Sequence, residues 1–143
     1  MTLSPHDCLF TEGALTLPAG YQDRTVNVFT APGQPALNLS RDRTEDGESL
    51  PDYITRQTAL MAQHLKGWKV LSRDAVVPGN DLGQGEAVEA SYLRGGQRVT
   101  QRQAVFALPD GRVLVFTVSA EGPLTGAHRD VLNDLLRSFR LHG

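Results

Sequence analysis

The side chains able to bind a metal or act as nucleophiles are few and dispersed. Histidines stand at His6, His64, His128 and His142, and the single cysteine at Cys8. None has the close pairing of a zinc site. Asp42, Thr44, Asp46 and Gly47 imitate the opening of a calcium loop. The last ligand of such a loop is a bidentate glutamate, and that position falls on Tyr53. Gly79, Gly83 and Gly85 fit neither a phosphate-binding loop nor a dinucleotide fingerprint, and no Gly-x-Ser-x-Gly elbow occurs. Cys8 has no activating group beside it in sequence and reads as an idle thiol. The expectation is a protein that binds rather than catalyses, with no cofactor and no metal.

What remains is a set of polar residues in apolar settings. Side chains alternate between the two faces of a strand. Along Gln97 to Leu108, Val99, Gln101, Gln103, Val105 and Ala107 therefore share one face. Arg98, Thr100, Arg102, Ala104, Phe106 and Leu108 share the other, which suits a core. Asn38 and Ser40 alternate with Leu37 and Leu39. Gln57 interrupts an apolar helical stripe, one turn from both Tyr53 and Met61. Singly, each reads as an amide or hydroxyl satisfied inside the fold. Together they outline an apolar groove that still offers hydrogen-bond donors and acceptors. Such a surface suits an apolar peptide or helix with a few polar groups of its own.

The elements that must position these residues are legible in outline. Glu86 to Ser119 holds three apolar-rich runs parted by Gly95-Gly96 and Pro109-Asp110-Gly111, which predicts a three-stranded antiparallel meander. Leu9 to Leu17 predicts a short edge strand or hairpin ahead of Pro18. Thr25 to Phe29 and Ala36 to Asp42 predict two strands around a Pro32-Gly33-Gln34-Pro35 loop. Ser49, with Asp52 three residues on and Pro51 in the first turn, opens a helix that stops near Gly67. Trp68 to Val77 predicts a strand, and Pro78 to Gly85 a loop rich in glycine. Thr125 to Phe139 predicts a second helix whose Val131, Leu132, Leu135, Leu136 and Phe139 dock on the sheet. Strands and helices do not alternate as βαβ units. The expectation is an α+β domain spanning residues 1–143: a twisted antiparallel sheet with helices on one face and a binding face on the other.

Composition sets the outer limits. The chain has 143 residues, enough for one domain that buries roughly 68–70% of its unfolded surface. A net charge of −2 without a basic block makes neither nucleic acid nor an anionic membrane an expected partner. The opening MTLSPHDCLF has no basic region leading into an apolar run, so it does not read as a signal peptide. No stretch approaches the roughly 20 apolar residues of a membrane span. A single cysteine fits a reducing compartment. The expected location is the cytoplasm, without membrane insertion.

Several segments, in order and spacing, carry a family resemblance: Leu17-Pro18, Gln22 to Phe29, Ser40-Arg41-Asp42, Asp52 to Gln57, and Gln101-Arg102-Gln103. They resemble the Eag chaperones of bacterial type VI secretion over nearly the whole chain. The resemblance implies a PsbP-like fold. It also implies a homodimer that binds the N-terminal transmembrane helices of a secreted PAAR-containing effector, often an Rhs protein. Such a chaperone shields those helices in the cytoplasm and aids loading on the VgrG spike. Position by position, the family's groove residues fall on Val26 and Val28 as aliphatic contacts and on Ser40, Gln57 and Gln103 as hydrogen-bonding groups. Asn38 takes a position that is often aliphatic in the family. Gln101 and Val105 join the site on alternation alone. The competing reading is a PsbP-like module that binds another protein or a lipid-like ligand outside secretion. A small enzyme in this fold has no supporting residue cluster.

Overall fold

The computed structural model describes residues 7–76 and 85–140. The glycine-rich loop signal at Pro78 to Gln84, and Val77 before it, lie outside the described residues. A small hairpin comes first, β1 (Asp7–Phe10) against β2 (Gly13–Thr16). The main sheet is built from β3 (Asn27–Phe29), β4 (Ala36–Arg43), β5 (Lys69–Val76), β6 (Gly85–Arg94), β7 (Gln97–Ala107) and β8 (Arg112–Glu121). Its spatial order is β3-β4-β8-β7-β6-β5, with every neighbouring pair antiparallel. Helix α1 (Leu50–His64) lies between β4 and β5 in the chain, and α2 (Gly126–Ser138) follows β8. The fold is the expected α+β antiparallel architecture. Among the described residues, no helix is long and apolar enough to cross a membrane.

Local chemistry explains the boundaries. Gly95 and Gly96 both take positive φ and turn β6 back into β7 in two residues. The Ser49 side chain accepts from the Asp52 backbone N–H at 3.2 Å and starts α1. Thr125 starts α2 with a reciprocal box. Its hydroxyl accepts from the His128 N–H, and His128 Nδ1 accepts from the Thr125 N–H, each at 3.2 Å. Histidine in the place of the usual Glu or Gln hid this box from sequence inspection. The strand predicted over Thr25 to Phe29 is shorter, so Val26 precedes β3. The Asp23 carboxylate accepts from the Thr25 N–H at 2.9 Å, and this local turn delays the ladder.

The expectation that both helices share one face is wrong. α2 packs Leu132 and Leu136 against Ala104, Phe106, Leu114, Phe116 and Val118. α1 packs Tyr53 and Ile54 against Val88, Val105, Val113 and Val115, on the opposite face. The physical reason lies in the central strands. β7 and β8 carry apolar residues on both faces, so neither face is marked as the one a helix must cover. α1 also has to connect β4, in one half of the sheet, to β5 at the far edge. It makes that crossing over the face that alternation had marked as mixed.

Candidate functional site

The strand register gathers the predicted residues into three adjoining rows on the α1 face. The middle row runs across all six strands: Val28, Asn38, Thr117, Gln103, Val88 and Arg73. On one side lies Ser40, Val115, Val105, Glu86 and Ala75. On the other lies Ala36, Ser119, Gln101, Ala90 and Val70. Six of the eight predicted residues, Val28, Asn38, Ser40, Gln101, Gln103 and Val105, therefore share one sheet face. Val26 lies outside the rows, just before β3, and is about half exposed. Arg41 holds this edge in place, donating to the Thr25 carbonyl at 3.1 Å and to Asn27 Oδ1 at 2.9 Å.

The eighth residue, Gln57, reaches the same face from above. If both helices lay behind the sheet, it would touch the groove only from the rim. With α1 on the groove face, it lines a pocket of about 170 Å³ together with Ser40, Gln103 and Val105. Arg24, Asp42, Tyr53, Met61, Trp68, Val88 and Val115 complete much of the wall. Ligand pockets for small molecules are usually about 300–1,000 Å³. A volume of about 170 Å³ suits one inserted side chain of a larger partner. Val28, Asn38 and Gln101 share the face but do not line this pocket.

Two straps seat α1 over the rows. On the β4 side, the Tyr53 hydroxyl donates to Asp42 Oδ2 at 2.7 Å. Burial pushes the Tyr53 phenol well above its ordinary pKa, and the Asp42 carboxylate adds to the shift, so the hydroxyl stays a donor. On the β5 side, Arg73 donates to the Pro51 carbonyl at 2.7 Å and to Thr55 Oγ1 at 2.9 Å. Arg73 also pairs with Glu86 at 2.7 Å. From within α1, Arg56 reaches back to Glu48, just before the helix, with two bonds of 2.8 and 2.9 Å, which pulls the Glu48 carboxyl down to about 2.

The polar groups of the rows differ from these straps. Among the described residues, the side chains of Asn38, Ser40, Gln101, Gln103 and Thr117 make no hydrogen bond. Gln57 makes one, from Nε2 to Asp42 Oδ2, at the outer limit of 3.5 Å. Gln101 and Thr117 are nearly buried, at 8% and 5% exposure. Buried amides and hydroxyls usually find partners within the protein. Here they stand among Val28, Val88, Val105 and Val115 without an internal partner, and their polar atoms stay open to solvent, since every fully buried side-chain nitrogen or oxygen among the described residues has a hydrogen bond. Thr117 was missed in the sequence because the run VLVFTVS reads as apolar on both faces. Asp42 and Tyr53 were missed as a pair because only the fold brings strand and helix together.

Comparison with known proteins agrees with the fold and stops short of a role. The crystal structure of PA94, a protein of unknown function from Pseudomonas aeruginosa, matches with a TM-score of 0.73. The match covers 96% of this chain and 99% of that one at 21% sequence identity, which shows a shared fold. No curated protein is similar enough in sequence to match. Residues 12–138 match the family model named DcrB, nearly the whole described chain. The chain belongs to the DcrB family.

Proposed function

We propose that this protein is a chaperone of the Eag kind. Its client is the N-terminal transmembrane region of a PAAR-containing type VI effector, such as an Rhs protein, which it shields in the cytoplasm until loading on VgrG. The observation that supports this reading is that the side chains of Gln101, Gln103, Asn38, Ser40 and Thr117 share one partly aliphatic sheet face and make no internal hydrogen bond among the described residues, which leaves them open to a partner. A transmembrane segment in water exposes a contiguous apolar surface larger than a soluble monomer carries. It needs apolar contact along most of its length. Its small hydroxyls and any loosened backbone groups need donors and acceptors. The rows from β3 to β6 supply both, and the pocket under α1 accepts one protruding side chain. The role is binding, without catalysis, cofactor or metal. Two copies facing one another would enclose more of the client than one, which is the reason to propose a homodimer.

The test is co-expression with the apolar N-terminal segment of a PAAR-containing type VI effector. The full chain should capture that segment and keep it soluble. Val28→Asp should abolish capture, because it sets an unpaired charge against an apolar client. Val28 is 63% exposed, so this substitution leaves the fold intact. A client segment that stays soluble alone and is not captured returns the protein to a binding module outside secretion.

A further inference from the structure

The opposite face of the sheet carries a second cavity, of about 430 Å³, between the β5 edge and the start of α2. It belongs to a different surface from the groove: Thr100 alternates with Gln101, and Arg98 with Val99. Its floor is a cross-strand row of Lys69, Ser91 and Thr100. Arg98 reaches into it and donates to Ser91 Oγ at 2.7 Å and to the Gly67 carbonyl at 3.2 Å. Leu71 and Leu124 supply apolar wall, and Leu71 sits at a break in the β5–β6 register.

The charges do not balance. The cavity's carboxylate is Glu89, and Arg129 already holds both its oxygens, at 2.8 and 2.9 Å. Arg102 lies at 3.7 Å from the same carboxylate. Lys69 and Arg98 are therefore left without a counter-charge among the described residues. Thr100 is only 4% exposed, lines the cavity, and its hydroxyl makes no hydrogen bond among the described residues. Lys69, Arg98 and Thr100 thus line one cavity together with aliphatic Leu71 and Leu124. Planar two-oxygen anions suit a guanidinium edge, and charge-assisted bonds are the strong ones. The volume lies within the range of small-ligand pockets.

We infer that this cavity binds a carboxylate carried on an aliphatic stem. The carboxylate sits on Lys69, Arg98 and Thr100, and the stem lies along Leu71 and Leu124. Two sources share that chemistry: a free aliphatic acid and the C-terminus of a peptide ending in an aliphatic residue.

The test is calorimetric titration of the full chain with octanoate, octan-1-ol, inorganic phosphate, and a short peptide ending in leucine as its free acid or its amide. Octanoate or the free-acid peptide should bind, and the tighter of the two names the source. Octanol, phosphate and the peptide amide should bind at least about tenfold more weakly, since each lacks the stem or the charge. Arg98→Gln and Lys69→Gln should each weaken carboxylate binding about tenfold, and Thr100→Val about threefold to tenfold. The Lys69 variant guards against damage to the Arg98–Gly67 contact. Neither carboxylate binding at millimolar concentration would overturn the inference. So would binding that is unchanged in folded Arg98→Gln and Lys69→Gln, or phosphate binding as tightly as octanoate.

Discussion

Gln103 and Thr117 face one another across β7 and β8, yet neither side chain has a hydrogen bond among the described residues. A bound helix that donates to Gln103 would strand its own polar group if the amide were removed. Gln103→Ala should therefore weaken client binding by about 1–3 kcal/mol. The melting temperature should stay unchanged, because no internal bond is lost. An equal binding constant in a folded variant removes Gln103 from the site. Tyr53→Phe makes the opposite kind of change. It deletes the hydroxyl bond to Asp42 and should lower stability by about 0.5–1.5 kcal/mol in a denaturant titration. The two glutamines of β7 were legible in the sequence because alternation alone fixes their face. The Tyr53–Asp42 bond was not, because it joins residues whose proximity depends on where α1 crosses the sheet.

At the scale of elements, the two helices are held by different forces. α2 lays a fully buried Leu132 on Phe106, Phe116 and Val118, so Leu132→Ala should cost about 2–5 kcal/mol, read from chemical unfolding. Leu135 on the same helix is only partly buried, and its truncation should cost less. Arg129 fastens the start of α2 to Glu89 of β6, and this bond holds the Glu89 carboxyl below its ordinary range. A carboxyl depressed in the folded state stabilises above its unfolded pKa, about 4.5. That contribution is lost as pH falls through the lower folded value. The melting-temperature gap between the native chain and Glu89→Gln should thus be widest near neutral pH and narrow as pH falls below about 4.5 and through the lower folded value. A gap that does not narrow on acidification would mean that the pair acts by packing. Strand order along the chain and the existence of both helices were readable from turn residues, caps and the 3.6-residue period. The face each helix covers was not, because Val105, Val113 and Val115 are as apolar as Phe106, Leu114 and Phe116. Helix period fixes which side of a helix is buried, and nothing in it says against which side of a two-sided sheet.

Over the whole molecule, the sheet serves two surfaces. One, roofed at one end by α1, carries aliphatic rows with unspent amides and hydroxyls. The other, closed by α2, holds the core and the cationic cavity at the β5 edge. Membership of the DcrB family and the shared fold with PA94 establish the scaffold. The use made of it rests on the row of Val28, Asn38, Thr117, Gln103 and Val88. The most direct measurement is site-specific photocrosslinking in the co-expressed complex. The probe is placed at position 103 on the groove face and, in a separate protein, at exposed Asp130 on α2. Crosslinks from position 103 to the transmembrane segment of the client, with none from position 130, are the predicted result. Crosslinks from position 130 with none from position 103 would contradict the assignment of the client to the α1 face.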